Sequence, residues 1–125
     1  HLWDGEEKLV VLRDSNNRPY KKHIADVRDI VQGCVDALGK EPAFGETIQL
    51  GGPGPFTWDA AVPYLSEKLD IPYIEAVSQS TPTHYQFDLS KARNLIGFEP
   101  QYDIIQMIDD AFAFRNGKDI GVLPT

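Results

Sequence analysis

The sequence predicts an α/β fold in which short strands alternate with about four helices. Three observations support this: short runs with strand character, longer segments with apolar residues three or four positions apart, and turn residues between the two. The 125 residues are 42% apolar and 25% charged, as in an ordinary globular protein. This length predicts a single small domain or a piece of a larger one over residues 1–125.

The first part of the chain predicts two short strands and a helix. Residues 8–12 and 20–24 have strand character and flank a turn-forming Asp-Ser-Asn-Asn-Arg-Pro run. Asp26 can cap a helix over 26–38, because its carboxylate accepts N–H groups of the first turn, and Gly39 suits the left-handed residue after it. The face expected to be buried comprises Val27, Ile30, Val31, Cys34, Val35 and Leu38.

The middle of the chain predicts a strand, a helix and another strand. Residues 47–50 form the first strand, which ends at a Gly-Gly-Pro-Gly-Pro turn. Thr57 can cap the helix, in which Pro63 predicts a kink or a late start because it lacks a backbone N–H. Residues 73–77 predict the second strand and residues 78–83 a loop.

Two further helices are expected near the end of the chain. Asp88 or Ser90 can cap a short helix that ends at Gly97. Asp103 can cap the last helix, which Gly117 ends.

Charge and composition exclude several classes of partner. The net charge of −7 argues against a nucleic-acid groove and a polybasic membrane patch, and no apolar run approaches the ~20 residues that span a bilayer. A single cysteine, Cys34, is expected to pack as a small apolar residue and suits a cytoplasmic protein. Because His1 stands where a start methionine would be, we expect that polypeptide upstream has been removed; a remnant of a tag is the alternative.

The Gly-Pro turn has the layout of a dinucleotide-binding loop, between a predicted strand and a predicted helix. Glu75 lies where a ribose-binding acid would be. However, pyrophosphate is bound by backbone N–H groups, and Pro53 and Pro55 have none, while Thr57 replaces the third glycine. We therefore predict a structural turn and no cofactor-binding residue.

Other residue patterns that could carry chemistry are isolated. Tyr64 and Lys68 have the spacing of a dehydrogenase pair but do not follow a nucleotide-binding unit. The three histidines, His1, His23 and His84, share no metal-binding spacing. We predict no catalytic and no metal-binding residue within this sequence.

Three motifs follow one another along the chain. They are Arg-Pro-Tyr-Lys-Lys-His-Ile-Ala-Asp-Val-Arg-Asp-Ile at 18–30, Glu-Thr-Ile-Gln-Leu-Gly-Gly at 46–52 and Tyr-Gln-Phe-Asp-Leu-Ser-Lys-Ala-Arg-Asn-Leu-Ile-Gly-Phe-Glu-Pro at 85–100. Their order and spacing resemble the C-terminal region of the extended short-chain dehydrogenases/reductases, the NAD-dependent epimerase/dehydratase family. The resemblance covers about residues 8–115.

The resemblance implies a C-terminal substrate-binding subdomain of a longer enzyme. In this family an N-terminal dinucleotide-binding domain, absent here, holds NAD or NADP and the catalytic Tyr/Lys pair. The 125 residues alone are therefore expected to be inactive and to hold no cofactor. Their expected contacts to a small-molecule substrate, such as a nucleotide sugar, are Arg18 as an anion partner and Tyr20, His84 and Tyr85 as polar or stacking groups.

The sequence departs from the family pattern at two points, which keeps alternatives open. Residues 78–84 lack the arginine that contacts the diphosphate in many members, and Arg18 lies about one residue from its usual register. One alternative is a carbonyl or alcohol reductase whose substrate has no nucleotide. Another is a non-enzymatic module that binds a protein partner, and a homo-oligomer is compatible with each reading.

Overall fold

The computed structural model describes residues 5–79 and 83–121, which belong to two compact units. The first unit comprises His1–Lys22 and Phe56–Tyr85, and the second comprises His23–Pro55 and Gln86–Thr125. Short strands alternate with four α-helices, which confirms the predicted α/β class. The predicted loop at 78–83 lies partly outside the described residues.

The first unit is built on a parallel pair of strands. Strand β1 (Leu9–Arg13) pairs with β4 (Tyr73–Val77), with Leu9 opposite Tyr73. Parallel strands need a long crossover, and helix α2 (Trp58–Leu69) lies in this connection and packs against β1. Val11 at the centre of β1 is fully buried, and α2 contributes Ala61 and Val62 to the buried residues.

A second, smaller strand pair completes this unit. Strand β2 (Lys21–Lys22) lies antiparallel to β3 (Phe56–Thr57). The sequence predicts a longer strand at 20–24 and none at 56–57, because two-residue strands are too short to show a periodic pattern.

The predicted strand at 47–50 is wrong: these residues have no regular secondary structure. Ile48 and Leu50 instead pack against a hydrophobic cluster in the second unit. Apolar residues that alternate in this way can satisfy packing on a helix as well as in a sheet, so their pattern alone does not separate the two.

The second unit is mainly helical. It contains α1 (Val27–Ala37), a short 3₁₀ helix (Glu41–Ala43), α3 (Ser90–Ile96) and α4 (Ile104–Arg115). Its core is formed by four buried residues on or beside α3: Leu89, Ala92, Ile96 and Phe98.

Helix ends follow the predicted caps in most places. The Asp26 and Asp103 carboxylates accept hydrogen bonds from backbone N–H groups in the first turns of α1 and α4, at 2.9 and 2.8 Å. Gly39 and Gly97 have the expected left-handed conformation, with φ of 70° and 71°. At α3 the cap position is Leu89, and the Asp88 carboxylate accepts the N–H of Ser90.

Helix α2 departs from its prediction at two points. Thr57 occupies the cap position without a side-chain hydrogen bond. The helix also starts at Trp58 and continues through Pro63, so the late start is wrong. A proline six positions into a helix removes one hydrogen bond, and the buried contacts of Ala61 and Val62 offset that loss.

The predicted burial of α1 is wrong. Val27, Val31 and Val35 are more than half exposed, and Cys34 is exposed as well. The buried positions are Asp29 and Gly33, because backbone N–H groups of Gln101 and Tyr102 bind the Asp29 carboxylate. A polar anchor thus sets which face of α1 turns inward, and periodicity cannot reveal it.

Each helix within 5–79 and 83–121 falls short of the length and apolarity that a bilayer crossing requires.

Candidate functional site

Strand β1 ends in a tight loop whose first residue, Asp14, is fully buried. Its Oδ1 accepts hydrogen bonds from the backbone N–H groups of Asn16 and Arg18, both at 2.9 Å. Burial alone would raise the pKa of Asp14, but the hydrogen bonds from Arg18 and Asn16 outweigh it and hold this pKa below the ordinary value of 3.8. Asp14 is therefore a fixed negative charge at neutral pH.

The charge of Asp14 positions Arg18, the predicted anion partner. Arg18 Nε donates to Asp14 Oδ2 at 2.8 Å, and the Arg18 side chain is 58% exposed. Among the described residues, this carboxylate is the only partner of the guanidinium. The Nη groups thus remain accessible, and a guanidinium held in this way can present them to an anionic ligand.

His84, another predicted substrate-binding residue, lies beside Asp14, and Tyr20 lies beside His84. His84 Nε2 lies 3.6 Å from Asp14 Oδ2, slightly too far for a hydrogen bond. A parallel bridge to Lys21 positions the His84 backbone. The Tyr20 ring, only 7% exposed, meets the His84 ring edge-on with 6.5 Å between centroids. The structure therefore places Arg18 and His84 beside one buried acid and Tyr20 against His84.

Tyr85, the fourth predicted substrate-binding residue, has a different neighbour. Lys22 Nζ lies 5.4 Å from the centroid of its ring, which is within the range of a cation–π contact. Tyr85 is 39% exposed, so part of its ring surface remains available for stacking.

Two buried polar atoms near Tyr20 and Lys21 lack a hydrogen-bond partner within the described part of the chain. They are Trp58 Nε1 and Thr83 Oγ1. The backbone N–H of Trp58 donates to the Tyr20 carbonyl, and the backbone N–H of Lys21 donates to the Thr83 carbonyl. An unpaired buried polar group is costly, so such atoms are candidates to bind a water or a ligand hydroxyl.

Asp14, Trp58 and Thr83 are absent from the sequence-based site. Asp14 has the sequence pattern of a turn residue. Its neighbour in space, His84, lies seventy positions later in the sequence. Trp58 has the pattern of a core aromatic residue. The sequence carries no signal that pairs them.

The Gly-Pro turn of the second unit has the structural role that its prolines predict. The Gly52 N–H donates to the Ile24 carbonyl at 2.9 Å, and a Cβ on Gly52 would lie only 2.4 Å from that oxygen. His23 is buried beside the turn, where its Nδ1 accepts the Phe87 N–H. Its Nε2 therefore carries the proton and donates to the Gly52 carbonyl at 2.9 Å.

The carboxylate of Glu75, the candidate ribose-binding acid, forms an ion pair with Arg13 in the first unit. Arg13 donates to both carboxylate oxygens, at 2.9 and 3.1 Å. The hydrogen bond from Arg13 lowers the pKa of Glu75. Both carboxylate oxygens of Glu75 thus bind Arg13 in this structure.

A cavity of about 460 Å³ lies in the second unit beside the same turn. Its lining includes His23, Pro53, Phe87, Asp88 and Arg93. Hydrogen bonds from the hydroxyl and the N–H of Ser90 lower the pKa of Asp88, which keeps it ionised. Because both ring nitrogens of His23 are used, the cavity has no free acid or base from that residue.

No protein-family model matches the chain, and no curated protein is significantly similar to it. Solved structures do match. A short-chain dehydrogenase/reductase superfamily protein from Agrobacterium tumefaciens, crystallised with NAD, is 28% identical with a TM-score of 0.85. The match covers 93% of this chain and 35% of the other.

Two further matches at lower identity share the fold. UDP-glucuronic acid 4-epimerase from Bacillus cereus, in complex with UDP-glucuronic acid and NAD, has 19% identity and a TM-score of 0.66, over 89% of this chain and 36% of that one. L-Threonine dehydrogenase from Cupriavidus necator has 16% identity and a TM-score of 0.63, over 89% and 41%.

The present chain thus spans between a third and two fifths of the length of these three proteins. The match to the superfamily protein bears out the predicted resemblance to the extended short-chain dehydrogenases/reductases, and the two matches below 25% identity show the same fold.

Proposed function

We propose that these residues form the C-terminal, substrate-binding part of a longer NAD(P)-dependent epimerase or dehydratase that acts on a nucleotide sugar. The observation that carries the proposal is the Arg18 guanidinium, which the buried Asp14 carboxylate fixes while its Nη groups stay accessible. A diphosphate is the anion that suits such a fork. The Bacillus cereus epimerase, which has this fold, binds a UDP sugar.

In this proposal the chain orients the substrate and excludes water, while NAD or NADP supplies the hydride chemistry from a separate dinucleotide-binding part. Arg18 binds diphosphate oxygen atoms. His84 and Tyr85 follow the end of β4 by seven and eight residues, and their rings flank the nucleotide or the sugar. The unpaired Trp58 Nε1 and Thr83 Oγ1 are available for hydroxyl groups or for ordered water.

The role of Arg18 can be tested with a fusion protein in which this chain replaces the matched region of the Agrobacterium tumefaciens protein. Calorimetry would measure the Kd for UDP-glucose and UDP-glucuronic acid. We expect Arg18→Ala to raise Kd about tenfold or more, because a hydrogen bond to a charged group contributes about 1.5–3 kcal/mol. Arg18→Lys keeps the positive charge but lacks the two-pronged guanidinium. Its Kd should lie between that of the unchanged protein and that of Arg18→Ala.

The matched control is Arg115→Ala, which removes the same charge from the exposed end of α4 in the other unit. It should leave Kd unchanged. Equal effects of the Arg18 and Arg115 replacements would show that only net charge matters, and unchanged affinity in Arg18→Ala would contradict the proposal. The melting temperature of each variant separates lost binding from lost folding, since Arg18→Ala also removes an Asp14 hydrogen bond.

A dehydrogenase or reductase of a small substrate is the second candidate. Two observations favour it: residues 78–84 contain no arginine for a diphosphate, and an L-threonine dehydrogenase has the same fold. A fusion protein that gives no heat with any nucleotide sugar, and yet oxidises or reduces a small alcohol or carbonyl compound, would support this candidate over the first.

A further inference from the structure

Arg18 and His84 approach the same oxygen atom of the buried Asp14 carboxylate. Arg18 Nε donates to Asp14 Oδ2 at 2.8 Å, and His84 Nε2 lies 3.6 Å from that oxygen, within the range of an ion pair when the ring is protonated. The Tyr20 ring meets the His84 ring edge-on, which limits its rotation. The two nitrogen atoms are separated by at most the sum of the two distances, so one diphosphate can contact both side chains.

The charges of Arg18 and Asp14 alone do not match a diphosphate. Asp14 carries a fixed negative charge at neutral pH, which offsets the positive charge of Arg18. A nucleotide sugar has a negative charge on each phosphate, and residues 78–84 supply no arginine. A second cation beside Arg18 would complete the charge balance, and His84 lies where this cation is needed.

The two ring nitrogens of His84 have different surroundings. Nε2 faces Asp14, whereas Nδ1 has no hydrogen-bond partner among residues 5–79 and 83–121. The side chain is 28% exposed, so a ligand can reach the ring. A neutral imidazole donates from one nitrogen only, and an imidazolium donates from both. A His84 ring that bridges Asp14 and a phosphate oxygen must therefore be an imidazolium.

We propose that His84 binds the diphosphate of the substrate as an imidazolium, beside Arg18, and that substrate binding therefore takes up a proton. The inference rests on the proposed function. In the bound state the Nε2–H of His84 donates to Asp14, and its Nδ1–H donates to a phosphate oxygen. The proton comes from the solvent, and no covalent bond of the substrate changes.

The charged groups around His84 act on its ring in opposite directions. Asp14 favours the protonated form, and a bound diphosphate adds to this effect. Arg18 opposes it, as do Lys21 and Lys22 on β2, and Lys21 forms a backbone bridge with His84. These cations outnumber the single carboxylate, so we expect a neutral ring in the free site at slightly alkaline pH. Because the diphosphate reverses this balance, its affinity should fall as the pH rises through the range in which histidine titrates.

The state of the His84 ring can be observed by NMR of the ring nitrogens in the 125-residue chain, without and with UDP-glucose. The chain has three histidines, and His84→Gln identifies the signals of His84. At about pH 7.5, where free histidine is mostly neutral, we expect UDP-glucose to convert His84 to the doubly protonated form. His23 should stay neutral, because its ring nitrogens bind Phe87 and Gly52 in the other unit.

Calorimetry of the fusion protein described above measures the effect on affinity. We expect the Kd for UDP-glucose to rise about tenfold between about pH 6 and pH 8, because the imidazolium–phosphate hydrogen bond is lost. His84→Arg carries its charge at both pH values and should remove the pH dependence, whereas His84→Gln should bind weakly at both. Asp14→Asn should also remove the pH dependence. The matched control, Asp36→Asn on α1 in the other unit, should keep it.

Binding of UDP-glucose to a protein whose His84 ring stays neutral would overturn this inference and leave the proposed function intact. A Kd that is equal at both pH values, or that changes with pH in His84→Arg as it does in the unchanged protein, would do the same. Absence of UDP-glucose binding by both proteins would contradict the proposed function as well. If Asp14→Asn does not fold, the two His84 variants decide the outcome, because that side chain is partly exposed. The NMR measurement does not depend on the fusion protein.

Discussion

At the scale of single residues, Gly52 is the position where the backbone leaves least room for a side chain. Its N–H binds the Ile24 carbonyl, and its own carbonyl accepts the His23 ring proton. The space for a Cβ is taken by the Ile24 oxygen, which belongs to the backbone and cannot turn aside as a side chain would. The requirement for glycine here comes from close approach of two chain segments.

Gly52→Ala is therefore expected to lower the free energy of unfolding by about 1–3 kcal/mol, the range typical of an overpacked buried site. Gly54→Ala in the same turn is the matched control, because no atom lies within 4 Å of its added Cβ. Denaturant unfolding of the two variants would measure the difference. A Gly54 variant as unstable as the Gly52 variant would show that backbone flexibility, and not close approach, sets the requirement.

At the scale of elements, Arg28 joins α1 to α4. Its guanidinium donates to both Asp26 oxygens and pairs with Asp110 on α4 at 2.7 Å. It also donates to the Ile120 carbonyl and lies 3.7 Å from the centroid of the Tyr102 ring. Its hydrogen bonds to Asp26 raise the pKa of Arg28 most, burial lowers it, and the bond to Asp110 raises it further; the net pKa lies above the ordinary value, so the charge is permanent.

Arg28→Met should destabilise the chain by about 2 kcal/mol, below the 3–5 kcal/mol of a fully buried pair because the partners keep some solvent contact. The comparison is Gln32→Ala, which removes the exposed Gln32–Asp36 hydrogen bond on the same helix. This variant should lose about 0.2–0.5 kcal/mol of unfolding free energy. Thermal unfolding followed by circular dichroism would measure both. Equal losses would mean that the Arg28 network adds nothing beyond a surface pair.

The same elements show how far the sequence alone can predict this fold. Caps at Asp26 and Asp103 and left-handed glycines at 39 and 97 were predictable, because each depends on one residue and its nearest neighbours. The orientation of α1 was not, since it depends on the long-range bonds of Asp29 to residues 101 and 102.

The residues of the candidate site were likewise predictable only in part. The family resemblance identified Arg18, Tyr20 and His84, and the structure brings them together. Their organising acid, Asp14, could not be predicted, because a buried carboxylate and a solvated turn residue look alike in sequence. Burial is decided by the packing of β1, β4 and the segment around His84.

At the scale of the whole molecule, the proposed function assigns substrate binding and cofactor chemistry to separate parts of a longer chain. The prolines at 53 and 55 supply no N–H to a phosphate, and Glu75 is held by Arg13. The described residues include an exposed arginine that a buried carboxylate holds in place, and a row of exposed aliphatic side chains on α1.

The most direct test of this division is a calorimetric titration of the 125-residue chain with NAD and NADH, beside the intact Agrobacterium tumefaciens protein that is crystallised with NAD. The account predicts saturable binding for the intact protein and none for the chain, because the pyrophosphate has no cradle of backbone N–H groups here. Tight, stoichiometric uptake of either cofactor by the 125 residues alone would contradict it.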